Sequence, residues 1–323
     1  RRVAVERGTV RRRRVNTIGG LLQEGRRVLA AGESPYLDSL VLLEWATGVD
    51  RTTLLAELPS SAEEWCSPRQ VSIYRQALLE RSGGKPVAYI TGTKEFYGRP
   101  FCVGPGVLVP RPDSESLVER CIEILSSFGG DGPIRFHDCC TGSGCLGITV
   151  ALEVVASGKR PVEATLSDID EEALAWTRRN VERLVPVGTP GLTITVERRD
   201  LLTPWERIGD PDHQIRREGG SALDLVVANP PYLTEEETDA ALARGWEEPR
   251  RALAAGERGL DVIEVLGAEA FSSMRPGGYL IIEHGSSQGA AVRGLLRAAG
   301  FASVASGRDL AGMERYTEGQ VPE

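Results

Sequence analysis

From Ile134 to Ala305, short apolar runs alternate with longer segments of helical period, and nothing else in the chain limits its fold so strongly. Ile134-Arg135-Phe136-His137, Val162 to Leu166, Leu192 to Val196, Leu223 to Ala228, Tyr279 to Glu283 and Phe301 to Ala305 read as strands. Leu146 to Val155, Glu171 to Leu184, Leu260 to Met274 and Gly289 to Ala299 read as helices. Parallel neighbours need crossovers, and helices of this length supply them. The order predicts an α/β fold with a doubly wound, mostly parallel sheet.

The chain ahead of that alternation has a different texture. From Thr17 to about Arg81 the pattern is helical, with Ser34-Pro35 and Ser67-Pro68 as N-cap and first turn, and Gly48 as a stop. Residues 17–86 are expected to form a small helical domain that buries one shared apolar face, among it Leu37, Trp45, Ile73 and Leu79, and holds a partner. Residues 87–109, punctuated by Gly92, Gly98 and Gly104-Pro105-Gly106, read as a β-hairpin linker. Residues 110–323 then form the catalytic domain. Residues 1–16 are a basic leader, with Arg1, Arg2, Arg7 and Arg11 to Arg14 against Glu6. They are read as a frayed end, with an organelle transit peptide as the alternative. The polar stretch from Trp205 to Ser221 is read as an exposed loop.

Asn229-Pro230-Pro231-Tyr232 ends the run from Leu223 to Ala228. Neither proline can continue a central ladder, so the strand stops and the backbone stiffens. A plain turn would account for Asn-Pro alone. The four residues after a buried strand can do more. The Asn229 side-chain oxygen and the Pro230 carbonyl can take the two hydrogens of a planar –NH2 group, with Tyr232 as a flat wall.

Asp138-Cys139-Cys140-Thr141-Gly142-Ser143-Gly144 joins the first strand to a helix. Its glycines allow a ligand close to the backbone, and Asp168, ending the next strand, can accept hydrogen bonds from a ribose diol. Gly142, Gly144 and Gly147 also spell G-x-G-x-x-G, so a nicotinamide dinucleotide is one reading. Asp138 ahead of the loop suits the cationic methionine part of S-adenosylmethionine, and the Asn229 corner suits an amino group to be methylated. Asp200 is expected to face an adenine amino group and Leu201 to pack on the ring. A helix cap and a core leucine are the plainer reading of that pair.

A formal net charge of -8 argues against a broad basic face for bare nucleic acid. An adenine-N6 methyltransferase, gripping a flipped base at the same corner, is therefore the weaker alternative. A scaffold that binds cofactor without turnover is another. No apolar run approaches the length of a membrane span, and there is no secretory signal. The six cysteines include no C-x-x-C pair, and histidines number three, so no metal site is expected. Reduced thiols suit a cytoplasmic protein. His284 is read as structural.

Several ordered stretches resemble the N5-glutamine methyltransferases that modify peptide chain release factors. They are Pro86-Val87-Ala88-Tyr89-Ile90-Thr91-Gly92, Pro110-Arg111-Pro112-Asp113-Ser114-Glu115, Thr141-Gly142-Ser143-Gly144, Asn229-Pro230-Pro231-Tyr232, Glu248-Pro249-Arg250-Arg251-Ala252-Leu253, Glu283-His284-Gly285 and Arg308-Asp309-Leu310-Ala311-Gly312. The resemblance implies a helical domain, a hairpin link and a class I methyltransferase domain that uses S-adenosylmethionine on the glutamine of a Gly-Gly-Gln loop. Asn229, Pro230, Pro231, Tyr232 and Arg111 would then serve the substrate. Asp138, Cys140, Thr141, Gly142, Ser143, Gly144, Asp168, Asp200, Leu201 and Asn229 would serve the cofactor. Cys140 stands where the family has glycine, and Ser114 where it has threonine. The cysteine is shared with relatives that modify a large-subunit ribosomal protein, a second substrate the resemblance leaves open.

Overall fold

A computed structural model describes residues 17–204 and 223–323. The basic leader and the loop expected from Trp205 to Ser221 lie outside the described residues. The chain divides into two compact units, one running to Gly92 and including residues 243–247, the other comprising Thr93–Leu242 and Glu248–Glu323.

The first unit is helical: α1 (Ile18–Val28), α2 (Pro35–Thr47), α3 (Arg51–Ala56), α4 (Ala62–Trp65), α5 (Pro68–Ser82) and α6 (Val87–Thr91). Ser67 and Gln70 form a reciprocal capping box at the start of α5, and Gly48 closes α2 in the left-handed region. Leu21, Leu42, Leu43, Tyr74 and Leu78 make a buried core. Tyr74 Oη lies 2.7 Å from Ser39 Oγ and donates to the Leu21 carbonyl at 3.1 Å. A Cβ at position 25 would stand 2.2 Å from both hydroxyl oxygens, so only glycine lets α1 approach this closely. Leu37, Trp45, Ile73 and Leu79 are exposed, contrary to the expected single face. Apolar residues ring these helices, and only part of the ring is covered.

The second unit begins with a hairpin of β1 (Thr93–Phe96) and β2 (Arg99–Cys102). Tyr97 and Gly98 both have positive φ, the two-residue turn that matches strand twist. The hairpin is shorter than expected, because residues 87–91 form the helical turn α6. After α7 (Glu115–Ser127), the sheet-building elements are β3 (Ile134–Cys139), α8 (Cys145–Ala156), β4 (Val162–Asp168), α9 (Glu171–Leu184), β5 (Leu192–Asp200), β6 (Thr203–Pro204), β7 (Leu223–Ala228), α10 (Glu235–Ala243), α11 (Asp261–Ser273), β8 (Met274–Glu283), α12 (Gly289–Ala299), β9 (Ala302–Arg308) and β10 (Glu314–Gln320). Strand order is β6-β5-β4-β3-β7-β8-β10-β9. The five strands β5, β4, β3, β7 and β8 run parallel, and β6, β9 and β10 are antiparallel to their neighbours.

Alternate residues feed two cores. Leu225, Val227 and Ile281 pack with α7 and α8, whereas Val226, Ala228, Leu280 and Ile282 pack with α11 and α12. Two expectations fail here. The chain does not close at Phe301 to Ala305: β10 follows and inserts between β8 and β9, its sequence carrying too few apolar residues to mark it. The expected helix end at Met274 is instead the start of β8, whose glycines 277 and 278 mimic a turn. Among the described residues, no helix is long and apolar enough to cross a membrane.

Asn180, fully buried on α9, fastens β2 to the loop after β3. Its Oδ1 accepts from the Cys102 N–H at 2.7 Å, and its Nδ2 donates to the Cys102 and Ser143 carbonyls at 3.0 and 2.9 Å. Asn180→Leu is expected to lower unfolding free energy by about 2–4 kcal/mol by orphaning those backbone groups. Denaturant unfolding reads this directly; an unchanged midpoint would contradict the role given to Asn180.

Candidate active site

Strand β3 lies between β4 and β7, so successive crossovers leave it in opposite directions. The sheet therefore opens a crevice at the carboxyl ends of these strands. A cavity of about 310 Å³ occupies it, walled by the loop after β3, the ends of β4 and β5, the Asn229 corner, residues 106–111 and residues 249–254.

The loop is held from beneath by Asp138, which is fully buried. Its Oδ2 accepts from the Thr141 hydroxyl at 2.5 Å and the Gly147 N–H at 2.9 Å. Its Oδ1 has no hydrogen-bond partner among the described residues. Burial pushes the Asp138 carboxyl up to about 7, the two hydrogen bonds pull the other way, and the charge of Asp168 adds to the rise. Asp168 accepts from the N–H groups of Gly142 and Asp170, both at 3.0 Å, and burial raises its pKa too. Gly142 and Gly144 have positive φ, and a Cβ at position 147 would meet Asp138 at 2.7 Å and Leu166 at 2.9 Å. The three glycines thus serve turn shape and the packing of α8 on the sheet.

Cys140, Thr141, Gly142, Ser143, Asp168, Asp200, Leu201, Asn229, Pro231 and Arg111 line the cavity; Asp138, Gly144, Pro230 and Tyr232 stand behind it. Asp200 ends β5 and β6 follows at Thr203, so Asp200 is not a helix cap, and the buried core leucine is Leu202 rather than Leu201. Asn229 is half-buried, and its Oδ1 has no partner among the described residues. The corner itself is well tied. Tyr232 O accepts from Gln288 Nε2 at 2.9 Å, Leu233 N–H donates to the Leu253 carbonyl at 2.8 Å, and Ala255 N–H donates to the Leu233 carbonyl at 2.9 Å. The Glu248 to Leu253 stretch is thereby strapped beside it. Arg111 donates to Glu248 Oε2 at 2.6 Å, and Glu248 Oε1 accepts from the Val109 N–H at 3.0 Å.

His137, Glu248 and Glu283 were given no role by sequence reasoning. His137 Nε2 lies 2.7 Å from Ser167 Oγ, which reaches toward the Leu201 carbonyl at 3.5 Å. Burial drives His137 down to about 3, so it stays neutral. A histidine inside an apolar strand was the available signal. His284 is buried between Thr317 and Gly285: Nδ1 donates to the Gly285 carbonyl at 2.9 Å, leaving Nε2 to accept from the Thr317 hydroxyl at 2.8 Å. Both ring nitrogens are engaged, as a structural role requires.

Cys140 adopts φ 59°, the left-handed region. That costs an L-residue about 1–2 kcal/mol, whereas glycine loses about 0.5–1 kcal/mol more chain entropy on folding. Cys140→Gly should therefore raise unfolding free energy by up to about 1 kcal/mol. Calorimetry of both proteins checks it, and a lower melting temperature for the glycine variant would contradict the strain.

Residues 20–92 match the family model of the PrmC N-terminal domain. Release factor glutamine methyltransferase of Burkholderia pseudomallei is 33% identical over 295 residues, covering 91% of this chain and 95% of that protein. The Moorella thermoacetica protein of the same name is 37% identical over 288 residues, covering 88% and 91%, and that of Escherichia coli 31% over 301 residues, covering 93% and 97%. Among solved structures, the hMettl16 catalytic domain in complex with MAT2A 3'UTR hairpin 6 superposes with a TM-score of 0.50 at 12% identity, covering 79% of this chain and 82% of that one, a likeness of fold alone. With a switch-point crevice, a glycine loop over a buried carboxylate and relatives matched over nearly their whole length, the chain belongs to the release factor glutamine methyltransferase family, on the class I methyltransferase fold.

Proposed function

We propose that this protein transfers a methyl group from S-adenosylmethionine to the side-chain nitrogen, N5, of the glutamine in the Gly-Gly-Gln loop of a peptide chain release factor. The observation that carries this is the Asn229 side-chain oxygen, unpartnered among the described residues on a corner stiffened by two prolines. A carboxamide –NH2 supplies what that oxygen lacks.

The residues present fit the cofactor. Cys140 to Gly144 and Asp168 line the cavity or shape its floor, and Asp138, behind that floor, has a carboxylate oxygen unpartnered among the described residues whose charge favours a cationic group. When S-adenosylmethionine is bound, the chemistry it supplies is a methyl group on positively charged sulfur. Asn229 Oδ1 and the Pro230 carbonyl accept the two amide hydrogens and fix the direction of the nitrogen. As that nitrogen gains positive charge, the same two oxygens stabilise it without reorganising. The surplus proton leaves to water, so no histidine is needed. Arg111, held by Glu248, stands at the substrate side of the cavity.

Mass spectrometry of a release factor and of a large-subunit ribosomal protein, each incubated with enzyme and cofactor, tests the assignment. A single methyl group on the Gly-Gly-Gln glutamine is expected, and its absence would overturn the reading. Asn229→Ala should lower turnover by roughly 10²-fold and leave cofactor affinity nearly intact, as steady-state kinetics and cofactor titration will show. Asp138 supplies a pH prediction. Its carboxyl, raised to about 7 in the ligand-free protein, is mostly protonated at pH 6 and mostly ionised at pH 8. A bound cation favours the carboxylate. Cofactor binding should therefore release a proton at pH 6, but not at pH 8, and Asp138→Asn should abolish the release. Calorimetry in buffers of differing ionisation enthalpy measures it.

A further inference from the structure

Two separate stretches wall the substrate side of the cavity, Pro110 to Ser114 and the Asn229 corner. One buried carboxylate at the end of β8 reaches both. Glu283 is 1% exposed. Its Oε2 accepts from the Ser114 hydroxyl at 2.6 Å, and its Oε1 accepts from the Tyr232 hydroxyl at 3.4 Å. Asp113 and Arg315, in contact at 3.1 Å, brace the same place from outside, with Arg315 also holding Asp309 at 2.9 Å.

We propose that Glu283 is a positioning residue for methyl transfer, fixing the spacing between the Ser114 wall and Tyr232, which backs the Asn229 corner, so that the substrate amide meets Asn229 in one orientation. The proposal rests on the function proposed above. Glu283 touches no reacting atom and acts through two hydroxyl groups. A carboxylate suits this task, because it accepts at both oxygens and donates at neither, so both hydroxyls point inward. A buried carboxylate also has a cost: burial raises Glu283 to about 7, while Ser114, the positive charge of Arg315 and Tyr232 lower it and Asp113 raises it. Other groups facing this network are Arg111, whose charge acts on Tyr232, and the Cys145 thiol on α8, which burial pushes up to about 12. Protonation of Glu283 leaves one oxygen a donor, and the tie to one wall must then rearrange.

Two measurements test this. The first is a double-mutant cycle in kcat/KM for the release factor. Y232F and E283A should each lower it by about 10- to 100-fold with cofactor affinity unchanged, and the double variant should be no worse than E283A. E283Q, of equal shape, still accepts from Ser114 but turns an –NH2 toward Tyr232, so it should recover only part of the loss. Multiplying effects in the double variant, or a folded E283A with full kcat/KM, would overturn the proposal. The second needs no substrate and no alanine variant. In protein labelled at tyrosine Cζ, the Tyr232 resonance, assigned by its loss in Y232F, should titrate near pH 7 and stop titrating in E283Q. A Tyr232 signal identical in the unsubstituted protein and in E283Q would sink the contact on which the idea rests. Because this arm is independent of methyl transfer, a failure of the release-factor assignment and a failure of Glu283 remain distinct results.

Discussion

The Asp138 carboxylate governs the catalytic unit. It sits with no exposure at the end of the central strand and takes one hydrogen from each end of the loop it underlies. Thr141 anchors the outgoing turn, and Gly147 anchors the first turn of α8. The single oxygen that receives both also demands that α8 lie almost against the strand, which is why residue 147 has no room for a side chain. From that clasp follow the loop's left-handed glycines, the seating of Asp168 beneath Gly142 and the crevice at the strand ends. A neutral Asn180 then couples the loop to the hairpin, so the cavity floor is tied on two sides by buried polar groups.

Much of this was legible in the residues. Apolar patterns marked the parallel strands and their crossovers, because β3, β7 and most of β8 are buried on both faces and must be apolar, while β4 and β5 still bury alternate residues more deeply. Legibility failed where that pressure is absent. Strand β10 is held by ladder bonds to two neighbours and a single tyrosine, Tyr316, and polar residues fill the rest of it. The first half of β8 is broken by a register shift against β7 between Met274 and Tyr279, where Gly277 and Gly278 read locally as a turn. Val87–Thr91 folds as a helical turn despite its β-branched content, an instance of tertiary packing overriding a weak local preference.

The site divides in the same way. Asn229, Asp168 and the glycine loop announce themselves by residue type next to a strand end. Glu248 and Glu283 do not, since a lone glutamate in a sequence looks the same whether it is solvated or sealed beneath a cavity wall. What distinguishes them is the set of distant partners: Val109 and Arg111 for one, Ser114 and Tyr232 for the other. The glycine spacing alone left a dinucleotide open as the ligand, and only membership of a methyltransferase family closed that choice. Cys140 shows the opposite situation, a residue whose identity is plain and whose left-handed backbone is not.

The helical unit is discontinuous in the chain. Its contiguous part ends at Gly92, yet residues 243–247 belong to it, and the backbones of Gly84 and Gly245 approach so closely that a Cβ on Gly84 would stand 2.5 Å from the Gly245 carbonyl oxygen. A ribosome making this protein delivers the final piece of the unit only after residues 93–242, so the nascent helices emerge first but are complete only once residue 247 has followed. The same arrangement means that residues 17–92, cut out as a module and grafted elsewhere, would leave behind a segment with which they are packed.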